Sequence, residues 1–441
     1  MKKVLVLIMA VSMIISMLAG CGNNEGKKTT VADETTPTTN TAEGTTETDT
    51  DATSAANDEV FTLTISTTGP TDDNIDIAEK IFKEKYPNAK IEYVVSPWDD
   101  TREKQLVLVS MGEIPDIAKT GGWAQEFYGD GILDDLTSEV QSWDVYSKLS
   151  GGQKERMMYG DEICALNYNT NTILLFYNKD ILTQLGAEVP KSFEDLEKIG
   201  QLIKEKSLVN SSGKKVFATN VSTHPWEIGA WIWSNDGTFM DEGLTKTLID
   251  NVESINAHTY AQSFIKNEYA PVPDGTMDQM WLNGQLATYL TGEWTMPATL
   301  DAGINVGVTT VPTGANGKSI TSTGGCDWAV FKDAKNKEKA YEFLQIMYSD
   351  DFQIQADRGV TNLEIYDNSE KQAKWSESGL LEVKMAQQKQ LKSTKYQYMD
   401  GPYKYSEGRD IYIEALERIF INLEDPSTVL KDAAEKINSN Y

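Results

Sequence analysis

Histidine and cysteine, the side chains that most zinc sites and most imidazole chemistry require, are scarce in this chain. Its 441 residues include only two histidines and three cysteines, and no Cys-x-x-Cys pair occurs. Cys21, Cys164 and Cys326 are too few and too widely spaced for a disulfide scaffold or a zinc-ligand set. We therefore expect no metal and no cofactor. Whether Cys164 pairs with Cys326 stays open at this stage.

Basic residues are also in deficit, because 40 lysines and arginines stand against 67 aspartates and glutamates, a formal net charge of −27. Such a chain lacks the positive surface that neutralises nucleic-acid phosphates, and it would not lie on anionic lipid. Acidity of this kind favours solubility more than a cation-binding role. Nucleic acid is therefore not an expected partner.

Motifs that carry catalysis are missing too. The sequence has no Gly-x-Ser-x-Gly and no His-Glu-x-x-His segment. Residues 312–319 end in Gly-Lys-Ser like a phosphate-binding loop, but Pro312 stands where the first glycine must be. We expect no catalytic residues. A glycosidase pair among the many carboxylates stays open as an alternative.

An almost continuous apolar run occupies the N-terminus, where Val4–Leu18 follows Lys2 and Lys3. The run is short for a membrane span and is typical of a secretory signal. It ends in Leu-Ala-Gly-Cys at residues 18–21, which resembles the lipobox of bacterial lipoproteins. The resemblance implies a signal peptide over residues 1–20 and a lipid anchor on Cys21. The expected location is the extracellular face of the cell membrane.

Residues 21–58 form a compositionally distinct segment, rich in Thr, Glu, Asp, Asn and Ala and almost free of large apolar side chains. Such a segment cannot bury enough surface to offset the entropy lost on ordering. We interpret it as a disordered linker between the lipid anchor and a folded domain.

Beyond the linker, the hydrophobic pattern alternates between strand and helix. Residues 60–66 alternate apolar and polar side chains, residues 72–86 place apolar side chains on one helical face, and residues 90–95 read as a second strand. Strand, helix and strand with short joins predict a parallel crossover and an α/β fold. Further along, Ser192 and Asp195 form a capping-box pattern that predicts a helix through Lys206.

Several segments in a fixed order resemble the extracellular solute-binding proteins of the sugar-importing class, the group that includes maltose-binding protein. They are the Tyr-Asn-Lys-Asp to Phe-Glu-Asp-Leu stretch in Leu175–Glu205, the Gly-x-Trp segment in Met277–Thr299, the glycine pair and helix in Val308–Gln353, and Met-Gly-Glu-Ile-Pro-Asp-Ile at 111–117. The likeness runs from about Val60 to Tyr441 and depends on order and spacing rather than on one motif.

The resemblance implies a two-lobed, type II periplasmic-binding-protein-like α/β fold with ligand held in an interlobe cleft. It implies three crossings between lobes, near 165–169, 308–313 and 350–362. The first lobe would comprise 59–166 with 312–349, and the second 167–311 with 350–441. Closure about these hinges would trap the ligand.

Tryptophans mark the expected cleft. A sugar offers hydroxyls at its rim and apolar C–H faces, so its site needs aromatic platforms with short polar groups. Several tryptophans follow glycine or proline where strands are expected to end, which is where open α/β sheets bind ligands. Core packing is nevertheless the commoner position for a tryptophan, and Arg358 serves equally well as a helix cap. With the resemblance, the predicted ligand-binding residues are Trp123, Trp226, Trp294, Asp327, Trp328 and Arg358.

These observations predict a monomeric substrate-binding lipoprotein of a bacterial ABC importer, which captures a carbohydrate and delivers it to membrane permease subunits. An oligosaccharide is the favoured ligand. The alternatives are a secreted carbohydrate-active enzyme and a solute-binding sensor protein for a non-sugar ligand.

Overall fold

The computed structural model describes residues 58–71, 74–149, 151–168, 170–241, 245–356, 363–396 and 406–439. The signal peptide, Cys21, nearly all of the linker and Arg358 lie outside these ranges. The strands are β1 Thr62–Thr67, β2 Lys90–Val95, β3 Ile117–Thr120, β4 Met158–Tyr159, β5 Glu162–Ile163, β6 Leu166–Asn167, β7 Asn171–Thr172, β8 Leu174–Asn178, β9 Thr288–Thr291, β10 Val306–Thr309, β11 Thr321–Gly324, β12 Asp327–Val330 and β13 Thr394–Tyr396.

The helices surround these strands. They are α1 Ile75–Lys85, α2 Trp98–Met111, α3 Ala124–Gly129, α4 Thr137–Gln141, α5 Gly151–Met157, α6 Lys179–Leu185, α7 Phe193–Lys206, α8 Pro225–Ser234, α9 Val252–Lys266, α10 Met277–Leu282, α11 Met296–Asp301, α12 Lys337–Met347, α13 Asp350–Gln355, α14 Ser369–Glu377, α15 Leu381–Gln390, α16 Ser406–Phe420 and α17 Pro426–Asn438, with 3-10 turns at Asp144–Lys148, Glu293–Thr295, Leu363–Asp367 and Leu391–Ser393.

The first lobe is built on a five-stranded sheet in the order β2-β1-β3-β12-β6. Strands β2, β1 and β3 are parallel, whereas β12 runs antiparallel to both β3 and β6. The predicted β1–α1–β2 crossover is confirmed. Its helix is amphipathic, and Phe82 of α1 packs edge-on against Phe343 of α12 with ring centroids 5.4 Å apart. The three parallel strands therefore deliver their carboxyl ends to one edge of the lobe.

The second lobe has an antiparallel sheet in the order β10-β8-β9, covered by helices. The predicted capping box is present, because the Ser192 hydroxyl accepts from the Asp195 amide at 3.1 Å and the Asp195 carboxylate accepts from the Ser192 amide. In the main hydrophobic core of the second lobe, Phe193 of α7 packs on Trp231 of α8, with ring centroids 4.4 Å apart.

A small third sheet, β13-β11-β7, lies beside the points where the chain passes between lobes. Strand β6 belongs to the first lobe's sheet, whereas β7 pairs with β11. Likewise β11 pairs with β7 and β13, but β12, two residues later, lies inside the first lobe's sheet. The chain therefore crosses between β6 and β7 and again between β11 and β12, and these two crossings run side by side.

The contacts of residues 312–324 differ from the division expected from the sequence, which assigned them to the first lobe. The Thr313 amide donates to the Lys191 carbonyl at 2.9 Å, and the Ile320 amide donates to the Ser234 hydroxyl at 3.0 Å, both in the second lobe. Phe352 and Ala356, assigned to the second lobe, are buried in the first lobe's core. Residues 312–324 stay with the second lobe because β10 ends inside that lobe's sheet and the chain then runs back along α8 before it crosses.

The two cysteines of the folded part do not form a disulfide. Cys164 is fully buried, and its thiol lies 3.3 Å from the Met157 carbonyl. Burial raises the pKa of the Cys164 thiol to about 12, so this group stays protonated and unreactive at neutral pH.

Candidate functional site

The first lobe presents its tryptophans at the carboxyl ends of its parallel strands. Ser96-Pro97 follows β2 and leads into Trp98, the first residue of α2. Gly121-Gly122 follows β3 and leads into Trp123, the residue immediately before α3. Because β2 and β3 both run parallel to β1, the two tryptophans emerge at one edge of the sheet.

Trp98 and Trp123 form a tilted pair, with ring centroids 5.1 Å apart and planes at 51°. Trp98 is 37% exposed, whereas Trp123 is 3% exposed. A Cβ at Gly121 would lie 2.7 Å from the Trp123 ring and 3.0 Å from the Trp98 ring. Glycine is therefore required at 121 for this packing, which makes Trp98 the outer ring and Trp123 its support.

Buried polar groups hold this pair in place. The Trp123 indole nitrogen donates to the Gln105 side-chain oxygen at 3.2 Å, and the Gln105 amide nitrogen donates to the Lys119 carbonyl at 2.8 Å. The Lys119 ammonium donates to the Thr68 hydroxyl at 2.8 Å and lies 5.7 Å from the Trp98 ring centroid. The aromatic surface of the first lobe is thus preorganised rather than loose.

The second lobe contributes a similar pair, Trp226 at the start of α8 and Trp294 in the 3-10 turn after β9. Their centroids are 5.7 Å apart and their planes make an angle of 45°. The Trp226 nitrogen donates to the Thr323 carbonyl at 3.2 Å, which fixes this ring against β11 beside the crossing. Trp294 is 37% exposed. Each lobe therefore carries one outer and one inner indole.

A cavity of about 430 Å³ lies between the lobes. Its wall from the first lobe includes Trp98 and Trp123, and its wall from the second lobe comes from the His224 loop and from α16. The remaining lining residues are Asp99, Arg102, Glu103, Thr223, Arg409, Asp410 and Ile413. The lining does not include Trp226 or Trp294, so the two tryptophan pairs do not share this cavity.

Each arginine of the cavity wall has an acidic partner. Arg102 donates to Glu126 at 2.6 Å and also contacts Glu103. Arg409 lies 3.6 Å from the Asp410 carboxylate. With its cations neutralised, the wall is suited to an uncharged polar ligand more than to an anion.

His224 supplies a polar atom at the cavity that protein groups do not satisfy. Its Nδ1 is buried and has no hydrogen-bond partner among the described residues. Burial, and secondarily the charge of Arg409, lower the pKa of His224 to about 4. The ring is therefore neutral at pH 7 and offers one donor and one acceptor nitrogen. A ligand hydroxyl is the kind of group that would satisfy Nδ1.

Asp327 and Trp328, predicted from the glycine pair as ligand residues, are placed differently by the structure. Both are buried, at 2% and 1% exposure. Both Asp327 oxygens accept from Arg156 at 2.8 Å, and one also accepts from the Asn167 amide at 3.0 Å. Trp328 packs edge-on against Tyr168 in the core. These two side chains belong to the crossing and to the core, because β12 enters the sheet at Asp327.

Sequence reasoning missed Trp98 as a site residue, although its signal was present. Pro97-Trp98 follows a predicted strand just as Gly122-Trp123 does, and the same strand-end rule covers both. Arg409 and Ile413 had no comparable signal, because they lie on α16, far along the chain from the other lining residues. Of the predicted residues, the structure pairs Trp123 with Trp98 and Trp226 with Trp294. Arg358 lies outside the described residues.

Neither a metal centre nor a membrane span appears in the part of the chain that the structure describes. There, no group of three or more His, Cys, Asp or Glu side chains is placed to hold a metal ion. None of the helices in those ranges combines the length and the apolar character needed to cross a bilayer.

Two α/β lobes joined by adjacent crossings, with aromatic pairs on both and a cavity between them, define a two-lobed binding protein of the type II fold. Comparison with known proteins agrees. The profile of the family "Bacterial extracellular solute-binding protein" matches residues 68–354, well over half of the chain, and the chain belongs to this family.

Two curated relatives illustrate the likeness in sequence. A galactooligosaccharide-binding protein of Bacillus subtilis is 25% identical over 285 residues, covering 59% of this chain and 62% of the relative. A maltooligosaccharide ABC transporter solute-binding lipoprotein of Streptococcus pneumoniae is 27% identical over 193 residues, covering 40% of this chain and 43% of the relative. The chain thus aligns with less than two thirds of the length of either. Both names describe binding proteins, not enzymes.

One solved structure shows the likeness in fold. An ABC substrate-binding protein of Listeria monocytogenes, in complex with cycloalternan, superposes with a TM-score of 0.75 at 20% identity. The superposition covers 87% of this chain and 99% of the other. At this identity the match establishes the architecture, and the expected two-lobed type II fold is confirmed.

Proposed function

We propose that this protein is the substrate-binding lipoprotein of a bacterial ABC importer, and that it captures a carbohydrate, with an oligosaccharide favoured, without transforming it. The observation that carries the proposal is the pair of outer indoles, Trp98 on one lobe and Trp294 on the other, each 37% exposed and each backed by a second tryptophan. Exposed aromatic platforms with nearby polar groups fit the C–H faces and hydroxyls of sugar rings.

The proposed mechanism is hinge closure. The open lobes present their tryptophan pairs separately, and a ligand that contacts both lobes stabilises the closed arrangement. We assign residues 59–168 with 325–356 to one lobe and 170–324 with 363–439 to the other, following the contacts across β11 and β12. The neutral His224 ring and the paired arginines of the cavity support an uncharged ligand over a phosphorylated or carboxylated one.

The lipid anchor at Cys21, the signal peptide over 1–20 and delivery to permease subunits are part of the same proposal. They follow from the Leu-Ala-Gly-Cys sequence and from membership of the solute-binding family. The two curated relatives are named for galactooligosaccharides and maltooligosaccharides, and these names support an oligosaccharide as the ligand. Deletion of the gene should abolish uptake of the bound sugar if the protein serves an importer, and leave uptake intact if it serves a sensor.

A cationic ligand is the second candidate. Three carboxylates, those of Asp99, Glu103 and Asp410, line the cavity beside two tryptophans, and aromatic rings with nearby acids also suit quaternary ammonium groups. Sugars and cations are separable by experiment, because cation binding weakens steeply with salt, whereas stacking of a neutral sugar does not.

The test is a thermal-shift and calorimetric screen of the purified chain against maltooligosaccharides, galactooligosaccharides, cyclic α-glucans, glycerophosphocholine and choline. A ligand that binds only the folded form raises the melting temperature. We expect a shift with at least one oligosaccharide, its loss in Trp98→Ala and Trp294→Ala, and its retention in the core control Trp233→Phe. A shift only with choline, or release of shorter sugars on incubation, would overturn the proposal.

A further inference from the structure

We infer that Glu293 and Lys384 are positioning residues for Trp294: their buried ion pair fixes the turn that presents the outer indole of the second lobe to ligand. The inference rests on the proposed function, because Trp294 is one of the two outer indoles on which that function depends. It adds two residues that neither touch the proposed ligand nor stand out in the sequence.

The turn after β9 alternates between inward and outward side chains. Glu293 is 8% exposed, Trp294 is 37% exposed and Thr295 is 5% exposed. The backbone from 293 to 295 is a single 3-10 turn that leads directly into α11 at Met296, and it has few internal hydrogen bonds of its own. The two inward side chains therefore add anchors that fix the position of the outward one.

The first of these inward anchors is ionic. The Glu293 carboxylate pairs with the Lys384 ammonium of α15, whose side chain is only 2% exposed. Lys384 also lies 5.6 Å from the Trp375 ring centroid. A charge buried this deeply is costly unless it stays paired, so each partner restricts the other to one geometry.

The second inward anchor is neutral. The Thr295 hydroxyl lies 2.8 Å from the Thr291 hydroxyl. The Thr295 backbone carbonyl accepts a hydrogen bond from the Thr299 hydroxyl at 2.8 Å. Thr299 in turn accepts from the Trp281 indole nitrogen at 2.8 Å in the core. The far side of the turn is therefore tied to the core by a chain of short hydrogen bonds.

Gly292 completes the arrangement, because the Trp294 ring lies against its Cα. A Cβ at position 292 would come within 1.9 Å of that ring. The backbone at Gly292 is extended, with φ −105° and ψ 178°, so alanine is conformationally acceptable there and would act only by pushing the indole. Gly292→Ala thus displaces Trp294 without altering any charge.

Lys371 offers a matched control. It is a second buried lysine beside Trp375, 5.2 Å from that ring centroid, and it donates to the carbonyls of Ile354 and Ala356. Lys371→Met removes a buried ammonium beside Trp375 and leaves the Glu293–Lys384 pair in place.

The experiment follows the Trp294 resonance by fluorine NMR of the chain labelled with 5-fluorotryptophan, assigned through Trp294→Phe. The variants are Lys384→Met, the doubly neutral Glu293→Gln/Lys384→Met, Gly292→Ala and Lys371→Met, with affinity for the best oligosaccharide from the screen measured by calorimetry. The double variant leaves no buried charge unpaired, which keeps the test open if Lys384→Met alone does not fold.

We expect the Trp294 resonance to shift or broaden in the first three variants and to stay unchanged in Lys371→Met. Affinity should fall at least about tenfold, or ~1.4 kcal/mol, in the three displaced variants. A native Trp294 resonance and native affinity in the double variant would overturn the inference. The resonance is read without ligand, so absence of any sugar binding in the wild-type protein would contradict the proposed function and not the positioning role.

Discussion

The Arg156 guanidinium and the Asp327 carboxylate form a two-pronged ion pair at the base of the second crossing, with both nitrogen–oxygen distances 2.8 Å. The same carboxylate accepts from Asn167, in the strand before the first crossing, and the Asn167 carbonyl accepts from the Tyr348 hydroxyl at 2.6 Å, two residues before α13. One buried network thus holds the first-lobe ends of the connecting segments together, and in the proposed closure the hinge lies beyond it.

The first prediction concerns the contribution of this buried network to stability. Asp327→Ala leaves the Arg156 charge buried and unpaired, and should lower the free energy of unfolding by about 3–5 kcal/mol. Arg156→Met/Asp327→Leu, which removes both charges, should recover most of that loss. Urea unfolding followed by circular dichroism measures both. The exposed pair Lys318–Asp236 is the control, since Lys318→Met should cost less than about 1 kcal/mol. Equal losses at the two pairs would contradict this account.

The two indoles of the first lobe should respond differently to truncation. Trp123 is buried and hydrogen-bonded, so Trp123→Ala should cost about 3–5 kcal/mol of stability. Trp98→Ala removes an outer ring and should leave the melting temperature nearly unchanged while it abolishes sugar binding. Differential scanning calorimetry with and without ligand separates the two. A Trp98→Ala protein that binds sugar normally would remove Trp98 from the site.

The two histidines should make stability fall in mild acid. Burial lowers the pKa of both His258 and His224 to about 4, below the ordinary 6.5 of an unfolded chain. Between these values the unfolded state binds more protons, so stability is complete above pH 6.5 and declines as pH falls toward 4, by up to about 3 kcal/mol per histidine.

His258→Gln isolates one of these contributions. His258 is enclosed by the Ser254 carbonyl and the Tyr412 hydroxyl, so the variant should be less stable at pH 7 but should lose less on acidification. The measurement is the difference in unfolding free energy between wild type and variant at pH 7 and pH 5. An unchanged pH dependence would show that His258 does not titrate in this way.

Thiol accessibility gives a further check on the fold. Cys164 is fully buried with a raised pKa, and it is not bonded to Cys326. In the native protein without Cys21, labelling by iodoacetamide at pH 8 should therefore spare Cys164, and denaturant should expose two thiols. Mass spectrometry of the peptides locates each label. Rapid labelling of native Cys164, or a mass showing a disulfide, would be inconsistent with the structure.

Much of the architecture could be predicted from the sequence because local signals were strong. Alternation marked the strand at residues 60–66, and a capping box marked the helix at Phe193–Lys206. The crossover β1–α1–β2 followed from that first strand, the amphipathic helix after it and the second strand at Lys90–Val95. The Gly-Gly-Trp sequence before α3 located one half of an aromatic pair. These features are encoded within short stretches of chain.

What the sequence did not indicate depends on contacts between distant segments. Asp327 looked like a ligand residue until its partner Arg156, 171 positions away, was placed beside it. Likewise, the lobe assignment of residues 312–324 depends on pairing with Lys191 and Ser234. Trp328 is buried because the strand that follows the glycine pair enters the first lobe's sheet. No local sequence pattern predicts that this strand is an inner one.

Closure of two lobes on an intact sugar is measured most directly by small-angle X-ray scattering of the chain with and without a saturating oligosaccharide, with the ligand recovered afterwards and weighed by mass spectrometry. We expect the radius of gyration to decrease on binding, the Trp294→Ala protein to show no decrease, and the sugar to return unchanged. Tight binding at constant radius of gyration, or recovery of a cleaved sugar, would contradict the account.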